Sequence, residues 1–309
     1  MRIEQLLALF YSGNLCHVFV LTQFVADTFG VAAHPYRDRT AALATRHGKL
    51  PLIAPAMTEF LGLAVVSIEA DTDSLGTFTG EVARVGNQWE TAVAKARLGM
   101  AESGLSLGLA NEGSFAPYDP APFVITETEL VVLVDDTLGI VIGEIETAFS
   151  PPTTSFETEP GTIDLPALER AGFPEHGVIV RPADGWDPIV KGIHDIAELH
   201  RAVARCAAAS PIGLARIESD LSAHHHPFRR DVIASAAQRL ARRLAMICPT
   251  CDAPGWGVTA REPGAPCALC RQPTWTTLAE RWGCGACDNE LRLEVGEWAD
   301  PAQCTVCNP

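Results

Sequence analysis

Four C-x-x-C pairs crowd the C-terminal end of the chain: Cys248/Cys251, Cys267/Cys270, Cys284/Cys287 and Cys304/Cys307. Two thiolates separated by two residues grip one side of a tetrahedral metal ion, and a second such turn closes the other side. Eight cysteines thus specify two closed four-sulfur sites, with no position left for a catalytic water. A structural double zinc-ribbon module over residues 248–309, holding two Zn²⁺, is the first expectation. Fifteen residues separate the first two pairs and 16 the last two. That spacing favours sequential pairing, the alternative being interleaved pairing of first with third and second with fourth. An iron–sulfur cluster suits evenly paired turns less well. Thiols used in this way belong in a reducing compartment, so a cytoplasmic location is expected. The two remaining cysteines, Cys16 and Cys206, sit in apolar surroundings and read as small buried hydrophobes.

The other 247 residues precede this module, and a 309-residue chain with 47% hydrophobic residues has material for about two domains and a sizeable core. A formal net charge of −15 excludes general binding to nucleic acid or anionic membrane, which depends on cations displacing counterions. The module itself has four Arg, no Lys and eight Asp/Glu, so only a local RNA contact elsewhere stays open. Near the start, His17, Gln23 and Asp27 break an apolar stretch before it reaches the ~20 residues of a membrane span. The same breaks argue against a signal peptide. Residues 1–38 therefore read as an extension of uncertain status, ahead of an α/β domain over residues 39–247.

Within that domain the pattern predicts a strand at Ala41 to Ala44, a helix from Pro55 to Leu61 and a strand from Ala64 to Ile68. A polar loop, Glu69 to Gly86, leads to a helix from Asn87 to Ser103, where Trp89, Val93, Ala96 and Met100 share a face. Strands follow at Leu105 to Asn111, Glu129 to Asp136 and Gly139 to Phe149, the last two as an antiparallel hairpin. A Pro/Thr-rich connection over residues 150–162 divides two lobes. Beyond it come helices from Asp164 to Ala171, Asp195 to Ala208 and Pro227 to Ile247, with strands at Gly177 to Pro182 and Gly213 to Ser219. The fold class expected is α/β, a mixed twisted sheet flanked by helices, followed by the cysteine module.

Chemistry on phosphates needs cations near the oxygens and carboxylates that hold a metal or activate water. Lys49 follows the first strand, Glu90 opens the Asn87 helix, and Glu112 follows the third strand in "ANEGSFAP". If those strand ends are neighbours, the three converge where open α/β sheets bind ligands. Each has a plainer reading: Asn87 with Glu90 makes a capping box, Glu112-Gly113 is turn chemistry, and Lys49 is a solvated charge.

The segments "TRHGK", "ETAVAKA" and "GLANEGSF" resemble the inosine/xanthosine triphosphate pyrophosphatase superfamily over roughly residues 40–150. Its non-canonical purine NTP phosphatase branch, with an E-G-G-type acidic loop, is the more similar one. The resemblance implies a nucleoside triphosphate pyrophosphatase-like hydrolase in which Thr45 and Lys49 contact phosphate and Glu90 and Glu112 hold Mg²⁺. His47 stands where that loop commonly has Asn, Glu112 replaces a pair of acidic residues, and no purine-specific C-terminal motif is evident, so base preference does not carry over. As a whole, with "HGK", "GTFTGE", "HHHPFRRDVI" and the terminal "CPTC" to "CNP", the chain resembles an uncharacterised bacterial family of unknown function.

In the second lobe, "ESDLSAHHHPFRRD" brings Glu218, Asp220, three histidines, Arg229 and Arg230 to a strand-to-helix junction. Helix-start amides there also favour anions, which makes Arg229 a candidate cofactor-binding residue beside Thr45 and Lys49. The histidine run reads as exposed, Lys191 as a surface charge or a phosphate cation, and Arg239, Arg242 and Arg243 as a solvated stripe. The expectation is a Mg²⁺-dependent phosphohydrolase acting on a nucleotide-like small molecule. The alternative is a noncatalytic nucleotide- or RNA-binding protein whose zinc ribbon docks a partner, and a structural adaptor is a third class.

Overall fold

The computed structural model describes residues 33–45, 48–76, 82, 84–119 and 121–309. Most of the proposed extension, with Cys16, and His47 of the loop lie outside the described residues. Residues 33–38 pack onto the domain: Tyr36 is fully buried and His34 Nε2 lies 2.9 Å from the Leu244 carbonyl.

Strand β1 (Thr40–Ala44), helix α1 (Leu50–Leu61) and strand β2 (Ala64–Ile68) form a parallel β-α-β unit. Helix α1 starts five residues before the expected position, because Pro51 occupies its first turn, where a missing N–H costs no hydrogen bond. Helix α2 (Gln88–Ser103) follows, with Asn87 as its N-cap. Strand β3 (Leu107–Tyr118) runs parallel to β1 and antiparallel to β4 (Ala121–Asp135), which pairs with β5 (Ile140–Phe149). The five-stranded order is β2-β1-β3-β4-β5, parallel on one side and antiparallel on the other.

Both faces of this sheet are covered, so its central strands read as continuous apolar runs. Ala110, Leu130, Val132 and Val134 meet Ala92, Ala96 and Met100 of α2. Leu109, Val131 and Leu133 face the other way, into a core shared with Ile53 and Met57 of α1 and with Ile233, Leu240 and Leu244 of the last helix, α5 (Pro227–Ala245).

A second sheet lies beyond the Pro/Thr connection, built from β6 (Ser155–Thr158), β7 (Val178–Pro182), β8 (Val190–Ile193) and β9 (Ala215–Ser219) in the order β6-β9-β7-β8. All its pairings are antiparallel. Helices α3 (Leu165–Arg170) and α4 (Ile196–Ala209), capped by Asp164 and Asp195, complete that lobe, and Cys206 is buried in its core as expected.

The C-terminal module contains β10 (Gly257–Pro263), β11 (Thr277–Gly283) and β12 (Glu290–Glu294) as an antiparallel meander. It sits on β5 and α5: a Cβ on Gly255 would strike Ile142, and the Arg243 Nε donates to the Gly255 carbonyl at 3.3 Å. The arginine stripe of α5 is not simply solvated. Arg243 pairs with Glu144 at 2.9 Å and Arg239 reaches Glu144 and Glu146, because β5 presents its carboxylates to that helix face. Among the described residues no helix is long and apolar enough to cross a membrane.

Candidate functional site

Where β1 ends, a cavity of about 440 Å³ lined by several charged side chains opens between the two larger sheets. Its first wall comes from the parallel half of the five-stranded sheet: Thr45 after β1, Lys49 at the start of α1, Lys95 on α2, and Asn111 and Glu112 on β3. Gly48 turns the chain into α1 with a φ of 61°, a conformation that costs a glycine little. Lys49 Nζ then reaches the Asn111 carbonyl at 3.4 Å, a long hydrogen bond, and forms no ion pair among the described residues. Burial, then the Arg229 guanidinium, lower its pKa to about 7, against the opposing pull of Glu129.

Glu112 does not follow a strand in an acidic loop. It lies mid-strand in β3, on the α2 face, where Lys95 Nζ at 2.7 Å and Arg84 Nε at 2.9 Å occupy separate carboxylate oxygens. The next residue faces α5, and there the sequence hides a second set of charges. Glu129 of β4 is fully buried; its Oε1 accepts from Arg229 Nε at 2.5 Å and its Oε2 from the Asn111 amide at 2.8 Å. Gly113 sits opposite Glu129 in the ladder, and a Cβ there would collide with both Glu129 Oε1 and Arg229 Nη2. Burial opposes ionisation of Glu129, but Arg229, Lys49 and Asn111 outweigh it and hold its pKa below the ordinary value. Arg229 also donates from Nη1 to the Leu221 carbonyl at 2.6 Å, which ties the start of α5 to the cavity floor.

The opposite wall belongs to the second sheet: Thr154 and Ser155, Lys191 of β8, Glu218 to Ser222, and His224 and His225. Its carboxylates are engaged too. Glu218 holds Arg181 at 2.9 and 3.2 Å, and Asp220 accepts from the Gly192 and Ser222 amides at 3.0 and 2.9 Å. The histidine run is only partly exposed. His226 is buried as the N-cap of α5, and burial, then His176, lower its pKa to about 4, so it is neutral.

Thr45, Lys49, Glu112 and Arg229 therefore share one cavity, while Glu90 does not line it. Glu90 is exposed and closes the capping box of α2, its Oε2 accepting from the Asn87 amide at 3.0 Å and its own amide donating to Asn87 Oδ1 at 2.9 Å. The sequence spacing placed it at a helix start, and the cap is what a helix start requires. With Glu90 elsewhere and Glu112 saturated by two cations, the expected pair does not fit Mg²⁺. Lys95, Glu127 and Glu129 were not among the residues anticipated; two glutamates at i and i+2 beside an apolar run were the available signal.

The eight module cysteines form two clusters, but not in sequential pairs. Cys248, Cys251, Cys284 and Cys287 form one and Cys267, Cys270, Cys304 and Cys307 the other, each with all sulfurs within 4.8 Å. The meander explains this interleaving: β11 runs from beside one cluster to the other, so successive C-x-x-C turns alternate between the module's two ends. The Cys248–Cys287 and Cys267–Cys307 sulfurs lie 3.8 Å apart, and Cys251–Cys284 and Cys270–Cys304 lie 3.6 Å apart. A tetrahedron with metal–sulfur bonds of about 2.3 Å has edges of roughly 3.8 Å. Both clusters could hold a metal ion.

Residues 95–309 match the model of a family described as a domain of unknown function, DUF6671. The matched span includes Glu112, Glu129, Arg229 and every module cysteine, whereas Thr45 and Lys49 precede it. The pyrophosphatase resemblance and a bacterial origin gain no support from this match. No curated protein matches the chain.

Proposed function

We propose that this chain, which belongs to the DUF6671 family, binds the phosphate groups of a nucleotide-like small molecule in the cavity between its sheets. One observation carries the reading: Lys49, Lys95 and Arg229, from three different helices or helix starts, converge on one cavity, while Lys49 forms no ion pair among the described residues. A partly desolvated amine in that position gains most from an anion. The cavity volume of about 440 Å³ suits a ligand of that size.

Phosphohydrolysis is the chemistry such a site would serve, with Lys49 and Arg229 neutralising charge on the phosphoryl oxygens. No step is assigned to Mg²⁺, since its expected ligands are a helix cap and a saturated ion pair. The same saturation favours a second reading, a noncatalytic nucleotide-binding protein. We infer zinc for both cysteine clusters, because four thiolates at tetrahedral spacing are its usual structural ligand set. Both ions would hold the module together and take no part in chemistry.

A thermal-shift screen of nucleotides, with and without Mg²⁺, tests the reading, since a ligand of the native state raises apparent stability. At least one nucleotide should raise Tm in the wild type and in Glu90→Gln but not in Lys49→Ala. Phosphate release by the responding nucleotide separates hydrolase from binding protein. A panel that leaves Tm unmoved sinks both.

A further inference from the structure

Glu127 and Glu129 lie side by side on the α5 face of β4, each fully buried, with one arginine between them and the helix. Arg229 Nε is 2.5 Å from Glu129 Oε1 but 3.8 Å from Glu127 Oε1. Among the described residues neither oxygen of Glu127 has a hydrogen-bond donor, and its nearest carboxylate neighbour is Glu129. Its ladder neighbours are Phe115 on β3 and Ala148 on β5, whose side chains offer no polar proton. The charged or titratable groups facing the pair among the described residues are Arg229 and the neutral His226 from α5, Lys49 by way of Asn111, and Glu146 of β5, which lies opposite Glu129 in the ladder and is met by Arg239 at 3.7 Å.

Two buried carboxylates beside one guanidinium leave an uncompensated negative charge unless one of them holds a proton. We propose that Glu127 and Glu129 share a single proton, and that this proton sets the net charge of the cavity floor on which a phosphate-bearing ligand rests. With the proton present, Arg229 and the pair sum to zero, and Lys49 and Lys95 dominate. Without it the floor gains one buried negative charge and repels the ligand. Burial, and then the charge of Glu129, push the Glu127 carboxyl up to about 8, so the change falls in the mildly alkaline range. Glu127 acts here as a positioning residue for charge, through Arg229. The proposal rests on the anion-binding reading above.

Sulfate is a suitable probe because its own charge is constant over the range. Its affinity for the wild type and for Glu127→Gln, which carries an amide in the shape of the protonated acid, is measured by calorimetry at about pH 7 and about pH 9. Lys49 titrates in both proteins, so the comparison reads the part of the fall that the Glu127 carboxyl adds, directly or through Lys49. The expected result is a fall in affinity about tenfold larger in the wild type than in Glu127→Gln. Equal falls overturn the coupling. On the wild type alone, infrared difference spectra should contain a buried carboxylic-acid band that vanishes between those pH values; its absence overturns the shared proton even if the variant does not fold. Sulfate bound by neither protein overturns the anion-binding reading, and the coupling with it. A titrating band with equal falls overturns the coupling alone.

Discussion

Lys49 is held where a free lysine side chain would not choose to be, half-buried beside Arg229 with one 3.4 Å hydrogen bond. Its folded pKa, about 7, lies below the ordinary lysine value, so the unfolded chain binds more protons between those two values. Stability from this group therefore rises with pH above about 7 and is penalised in full below it. Lys49→Met should raise the Tm of the ligand-free protein by a few degrees near pH 6, with the gain shrinking toward pH 10, while abolishing the nucleotide-induced shift. Glu127 has the opposite sign: its raised pKa means that stability falls as pH climbs from the ordinary glutamate value toward about 8. Glu129 is held differently, by direct hydrogen bonds to Arg229 and Asn111. Glu129→Ala should lower unfolding free energy by about 3 kcal/mol, read from urea midpoints, because the closer counterion of a buried arginine is lost.

At the scale of elements, strand β3 carries two surfaces with different duties. Glu112 on the α2 face meets Lys95 and Arg84, while Asn111 and Gly113 on the α5 face leave room for the Glu129–Arg229 pair. Gly113→Ala should cost about 1–3 kcal/mol by overpacking and should weaken anion binding as well. Asn87→Ala should cost about 1 kcal/mol by uncapping α2 and leave anion binding alone, a contrast that calorimetry can read. The helices were legible because their caps are local: Asn87, Asp164, Asp195 and Pro227 each sit at or next to the observed start. The full length of β3 and β4 was not, because "NEGSF" has turn composition, and only the ladder partners Leu130 and Glu129 make it a strand. Lys49 and Arg229 were legible as cavity residues from loop and helix-start positions, whereas Thr45 was expected only through the pyrophosphatase resemblance. Glu129 was not legible, since the local signal, two glutamates at i and i+2 beside an apolar run, does not by itself separate a buried, paired glutamate from the solvated first residue of a strand.

Across the whole molecule, the cavity is a property of two sheets and the helix that joins them. Helix α5 contributes Arg229 at its first turn and Arg243 at its last, where Arg243 holds the Gly255 carbonyl of the cysteine module, so the module is braced against the element that carries Arg229. The interleaved clusters give a sharp metal count by native mass spectrometry. Cys248→Ser/Cys284→Ser removes ligands from one cluster and should leave one metal, whereas Cys248→Ser/Cys267→Ser should leave none; sequential pairing would reverse these outcomes. Chelation should unfold the module first, since its single small sheet buries little apolar side-chain surface of its own. The proposed anion site is tested most directly by diffraction from crystals soaked in tungstate, a heavy tetrahedral dianion. An anomalous peak is expected in the cavity within hydrogen-bond reach of the Lys49 amine, lost in Lys49→Ala. A saturating soak that leaves the cavity empty, or places the anion only on the outer surface, contradicts it.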